Sequence, residues 1–176
     1  MQNNWYAVYT KLHCERKVSL SLTKKNIENF CPLIKKEGKH LFRKTITVEA
    51  LFKSYVFVKT SEEIINNISK EINGVVSLFY WKGKPAIIKD EEIYAIQDFL
   101  KYHKDITVEQ TQVFIDKRDS TSSYFMDGQI LLIKNRTMKL TLPSLGLSMV
   151  AKYEPSEKGV IGREIVFGNR DLIVHS

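Results

Sequence analysis

Cysteine and histidine are scarce in this chain. Cys14 and Cys31 lie 17 residues apart with no CxxC partner, and His13, His40, His103 and His175 are scattered. That pattern matches no zinc-ligand spacing, so no metal site is expected and both thiols read as reduced and partly buried. Long apolar runs are also missing. None approaches the roughly 18 residues needed to span a bilayer, and no basic segment leads into an apolar one at the N-terminus. The expectation is a soluble cytoplasmic protein with no membrane partner.

Catalytic signatures are absent too. There is no nucleophile elbow, no phosphate-cradling glycine loop and no HExxH. Acids are scattered, and Asp90-Glu91-Glu92 reads as a helix start rather than a paired-carboxylate site. His13 beside Cys14 has no orienting third group in the sequence, so it reads as a surface histidine. The expectation is therefore a non-enzymatic protein with no catalytic residue and no cofactor.

What the chain does have is positive charge in one place. Residues 1–60 hold 12 Lys/Arg and 4 acids, a net +8, while the other 116 residues carry 15 bases and 16 acids, a net −1. The whole excess belongs to the first third. Such asymmetry favours a polyanionic partner, most often nucleic acid, over a merely solubilising face. Lys11, Arg16, Lys17, Lys24 and Lys25 fall on or beside one predicted helix, which suits phosphate contact without sequence readout.

Hydrophobic residues make up 43% of the chain, enough for a packed core. Residues 4–10 (NWYAVYT) read as a strand, and 12–26 as a helix with Cys14, Val18 and Leu22 on its buried stripe. Residues 27–34 read as an edge strand ending near Pro32. A basic hairpin follows, with a turn expected at Lys35-Lys36-Glu37-Gly38-Lys39 and an exposed strand from Arg43 to Val48. Residues 51–59 form a second aromatic strand. Alternation puts Phe52 on the face of Val56 and Val58, opposite Tyr55 and Phe57. Thr60-Ser61-Glu62-Glu63 opens a helix bearing Ile64, Ile65 and Ile68. Residues 75–81 are an apolar strand, 82–85 a turn, and Asp90 opens a helix with Ile93, Ile96, Phe99 and Leu100 as its stripe.

The fold expected is α+β. Residues 1–102 make an α/β sandwich of antiparallel strands with helices on one face, 103–123 a polar linker, and 124–176 a small β-barrel-like domain. Strands are predicted at 129–134, 138–142, 148–153, 164–167 and 171–174. The aromatics Tyr6, Tyr9, Phe52, Tyr55, Phe57, Phe79, Tyr80 and Trp81 exceed what one sheet core obviously needs. They suit stacking on single-stranded bases or docking of an apolar protein surface.

Several of these segments are recognisable in order. Trp5-Tyr6-Ala7-Val8-Tyr9-Thr10-Lys11 followed by Glu15-Arg16-Lys17-Val18 resembles the start of the NusG N-terminal domain. Ala50 to Val58 resembles its PLFPxYxFV signature, with Ala50 and Lys53 in place of the two prolines. Gly74-Val75-Val76, and Gly83-Lys84-Pro85 through Ile93, resemble its closing strand, turn and helix. The run from Lys139 to Val150 resembles the end of a KOW-type (SH3-like) barrel. The usual glycine-rich segment after its first strand is missing, so the domain is either an abridged barrel or one remodelled using residues 154–176.

These departures are similar to the specialised RfaH-like, capsule-locus antiterminators. The resemblance implies a transcription elongation or antitermination factor that suppresses pausing or termination without catalysis. It implies an apolar patch of Tyr9, Phe52, Tyr55 and Phe57 docking on the largest-subunit clamp helices of bacterial RNA polymerase. Asn66, Asn67 and Ser69 would face the other side of the polymerase cleft. Lys11, Lys17, Lys24 and Lys25 would lie near non-template DNA, and the KOW-like part would touch another protein or nascent RNA. The alternative from the residues alone is a free-standing single-stranded RNA-binding protein.

Overall fold

A computed structural model describes residues 2–40, 43–81, 83–111, 122–126, 129–134 and 137–152. The chain divides into two compact units, Met1–Asp90 and Glu91–Ser176. The strands expected at 164–167 and 171–174 lie outside the described residues.

In chain order the first unit contains β1 (Asn4–Thr10), α1 (Glu15–Lys24), β2 (Glu28–Phe30), β3 (Leu33–His40), β4 (Arg43–Ala50), β5 (Tyr55–Thr60) and α2 (Glu62–Glu71). It continues with β6 (Val75–Leu78), β7 (Tyr80–Trp81), β8 (Lys84–Pro85) and β9 (Ile87–Ile88). Its main sheet runs β2-β5-β1-β6, with β9 also paired to β1, and every pairing is antiparallel. β1 is central because it is buried on both faces, so nearly every residue from Trp5 to Val8 is apolar.

Register divides the sheet into two faces. Val8 opposes Val56 and Tyr6 opposes Val58. These four join Val18 and Leu22 of α1, Ile65 and Ile68 of α2, and Val75 and Leu78 of β6 in one buried cluster. Each fully buried aliphatic side chain there contributes on the order of 1.5–3 kcal/mol by removal from water. Both helices thus cover one face, as their stripes predicted. The opposite face carries Trp5, Ala7 and Tyr9 of β1 against Lys59, Phe57 and Tyr55 of β5.

Three local expectations are corrected. The hairpin does not turn at Lys35–Lys39. β3 and β4 pair from Leu33↔Ala50 to His40↔Arg43, so residues 35–39 are strand. Gly38 serves a close approach within that strand. A Cβ there would sit 3.1 Å from Thr45 Oγ1, and that hydroxyl donates to the Gly38 carbonyl at 3.2 Å.

The second correction concerns residues 51–54, which form a turn before β5 and not its first half. Ser54 has φ 64°, Tyr55 N–H donates to Phe52 O at 3.2 Å, and Leu51 N–H to Pro32 O at 2.8 Å. Alternation therefore does not apply to Phe52. Third, Pro32 separates β2 from β3 where one strand to residue 34 was expected, since proline cannot continue a ladder.

The second unit contains α3 (Asp90–Tyr102) from Glu91 onward, then β10 (Thr107–Gln110), β11 (Ser122–Met126), β12 (Gln129–Lys134), β13 (Thr137–Leu142) and β14 (Leu147–Lys152). The strands form one antiparallel sheet in the order β10-β14-β13-β12-β11. The three strands predicted between 129 and 153 are present. The segment read as linker contains β10, whose Thr107–Gln110 pairs with Leu147–Val150. Its polar side chains suit an edge strand, which is why composition suggested a linker. Glu92 is buried, and its carboxylate accepts the Ser144 N–H at 2.9 Å, bracing the β13–β14 turn. Among the described residues no helix is long and apolar enough to cross a membrane.

Candidate docking surface

The sheet face away from the helices is lined with rings. Tyr9 and Tyr55 are directly paired across β1 and β5, with centroids 5.2 Å apart and planes at 78°. Tyr55 is also edge-on to Phe79 at 6.1 Å. Phe57, one pair further in, meets Phe52 edge-on at 5.3 Å and stacks with Phe30 at 6.1 Å. Both T-shaped and offset arrangements are favourable for aromatic quadrupoles. At the far end, Lys59 Nζ lies 5.6 Å from the Trp5 ring. Trp5 Nε1 and Lys59 Nζ each donate to Asp90 Oδ1 at 2.9 Å.

Exposure grades along this row. Tyr9 is 42% exposed and Tyr55 half-buried, but Phe57 is 0% and Phe52 2% exposed. The four rings expected as one patch are brought together in space, yet only the two tyrosines present surface. Phe57 and Phe52 are the packed layer behind them. Burial, with the neighbouring Tyr9 second, pushes the Tyr55 hydroxyl above its ordinary pKa, so it stays a neutral donor at physiological pH.

The turn that delivers Tyr55 is held by a group that sequence reading passed over. Glu15, first residue of α1, is 5% exposed, and its Oε1 accepts the Ser54 N–H at 2.7 Å. The Ser54 carbonyl in turn accepts the Thr10 N–H at 2.8 Å. Both backbone groups of the left-handed serine are therefore satisfied. Burial, and second the Glu15 charge, push the Cys31 thiol up to about 11 against an opposing effect of Arg16. Cys31 is thus a thiol, not a thiolate, near neutrality.

The cations expected at nucleic acid lie on the other side of the sheet. Val18 and Leu22 point α1 into the core, so Arg16, Lys17 and Lys24 project outward around exposed Leu20, with exposed Lys11 in the preceding loop. Lys25 is turned away toward α2, where it pairs with Glu71 at 3.3 Å. Asn66, Asn67 and Ser69 are exposed on α2, and the Asn67 side-chain amide donates to Glu63 O at 3.3 Å. Among the described residues no cluster of His, Cys, Asp and Glu is arranged to hold a metal.

Residues 3–97, more than half of the chain, match the family model described as transcription termination factor NusG. A solved structure titled "Domain interaction in Thermotoga maritima NusG" aligns at 19% identity and a TM-score of 0.45, covering 86% of this chain and 93% of that one. No curated protein matches the chain.

Proposed function

The chain belongs to the NusG family of transcription factors, and we propose that it binds RNA polymerase during elongation through the Tyr9–Tyr55 face of its first unit. The observation that carries this reading is the tyrosine pair, Tyr9 exposed and Tyr55 half-buried, backed by a buried aromatic layer. Rings with an apolar body and a polar tip, held in place beforehand, are what interface cores favour. A helical partner such as the polymerase clamp helices fits a shallow sheet face of this kind.

Asn66, Asn67 and the cations of α1 lie on the helix-covered side. A protein that presents docking rings on one face and polar and basic groups on the other is suited to bridge two walls of a cleft. Bridging would suppress pausing or termination, as in the specialised antiterminator branch to which the substituted prolines point. In this reading Lys11, Arg16, Lys17 and Lys24 approach the phosphates of non-template DNA. The second unit, a KOW-like sheet, engages a further protein or nascent RNA.

Single-stranded RNA stacking on the sheet is disfavoured by the burial of Phe57 and Phe52, which leaves Tyr9 as the one strongly exposed ring of the four. The deciding experiment is transcription in vitro on a pausing template with purified polymerase, run beside a binding assay. Wild-type protein is expected to bind core polymerase and shorten pauses. Tyr9→Ala/Tyr55→Ala, each worth about 1–2 kcal/mol as interface anchors, should weaken binding roughly tenfold or more while folding normally. Unchanged binding by that folded double variant rejects the docking face. Tight RNA binding without polymerase binding supports the alternative.

A further inference from the structure

The geometry points to Glu15 as the positioning residue of the tyrosine face, a role that deepens the docking reading above and rests on it. Ser54 precedes Tyr55 directly and has φ 64°, a conformation that costs a β-carbon-bearing residue energy and that glycine adopts freely. The turn persists because both its polar groups are bound. The Glu15 carboxylate accepts the Ser54 amide at 2.7 Å, and the Thr10 amide donates to the Ser54 carbonyl at 2.8 Å.

Thr10 follows Tyr9, and Ser54 precedes Tyr55. One short chain of hydrogen bonds therefore fixes the backbone beside both tyrosine rings. Glu15 is 5% exposed and Ser54 8%, so water does not readily replace the carboxylate. A charge-assisted bond in such a setting is stronger than a neutral one.

Glu15 is also the first residue of α1, the helix that carries Arg16, Lys17 and Lys24. Its side chain reaches across 39 residues of sequence to set the opposite, ring-bearing face. The register of the tyrosines is thereby tied to the seating of the basic helix.

The test uses full-length wild type, Glu15→Gln, Glu15→Ala, and Glu15→Ala combined with Ser54→Gly. Amide exchange at Ser54 and the ring resonances of Tyr9 and Tyr55 are followed by NMR, and affinity for core polymerase is measured on the same samples. Glu15→Ala should expose the Ser54 amide, shift both tyrosine rings and weaken binding about tenfold, the scale of one charge-assisted hydrogen bond. Glu15→Gln keeps an acceptor oxygen and should stay much nearer wild type. Ser54→Gly, which needs no help to hold a positive φ, should restore ring positions and affinity in the Glu15→Ala background.

Unmoved tyrosine resonances in a folded Glu15→Ala protein overturn the assignment. So does a glycine double variant that regains stability but not ring position. If Glu15→Ala does not fold, Glu15→Asp, whose carboxylate is one methylene short, must move the same resonances or the assignment fails. Failure of wild type itself to bind polymerase rejects the docking reading, and the resonances still decide whether Glu15 sets the rings.

Discussion

Gly74 shows how much one position can demand. It has φ +100°, a Cβ placed on it would meet Val18 Cγ2 at 3.0 Å, and its carbonyl accepts the Lys11 N–H at 2.9 Å. Gly74→Ala therefore faces both backbone strain and a clash with a fully buried valine. We expect a loss of about 2–4 kcal/mol, read as a lowered urea midpoint with an unchanged m-value. Ser54 is the converse case. Ser54→Gly relieves a left-handed serine and should raise stability by about 1 kcal/mol in the same assay.

The two positions differ in legibility. Gly74 before an apolar run reads as a strand entry from sequence, but nothing adjacent to Ser54 marks it as left-handed. Its partner Glu15 lies in another element, and no local pattern links them. Phe52 was misplaced for the same reason. Strand alternation does not extend into the 51–54 turn, which the Tyr55 N–H to Phe52 O bond closes and which Glu15 and Thr10 hold at Ser54 from other elements.

Elements were legible where a period was long enough to read. Val18 and Leu22 of α1, Ile65 and Ile68 of α2, and Ile93, Ile96 and Phe99 of α3 follow apolar spacing and are buried, whereas Cys14 and Leu100, expected on the same stripes, are half-buried and Ile64, expected beside Ile65, is exposed. Short elements were not. β9 has two residues and β10 four, and each exists by pairing with a strand distant in sequence. The end of α3 also carries a pH-sensitive element. His103 packs on Phe99 with ring centroids 4.5 Å apart, and burial holds its pKa below the ordinary histidine value. Unfolded, that imidazole titrates near 6.5. Below that pH the unfolded chain takes up a proton that the folded one resists. The histidine's contribution is thus intact above about 6.5 and is lost as pH falls through the folded pKa. Urea midpoints between pH 7.5 and 5 should fall for wild type and fall less steeply for His103→Leu. Equal slopes for the two proteins would show that His103 is not the group responsible.

At the scale of the molecule, the cations of α1 and the Tyr9–Tyr55 pair occupy different sides of one sheet. The net +8 of residues 1–60 was plain from sequence, but composition does not say which cations remain available. Lys25 is engaged by Glu71 and Lys36 by Glu49, at 3.3 and 3.2 Å, in exposed pairs of little energetic weight. Lys17 and Lys24 stay on the outward face of α1 because Val18 and Leu22 hold the opposite face in the core. If these two lysines meet phosphates, each contributes to the release of counterions. The dependence of log K on log salt for a single-stranded DNA oligonucleotide should then flatten by roughly 1.4 in Lys17→Ala/Lys24→Ala, at about 0.7 per contact. Polymerase affinity in the absence of nucleic acid should be unchanged, because the tyrosine face lies across the sheet. A salt slope equal to wild type would remove α1 from the nucleic-acid side. A matching loss of polymerase affinity would mean that the two faces do not act separately, since removing cations from one would then have disturbed the rings on the other.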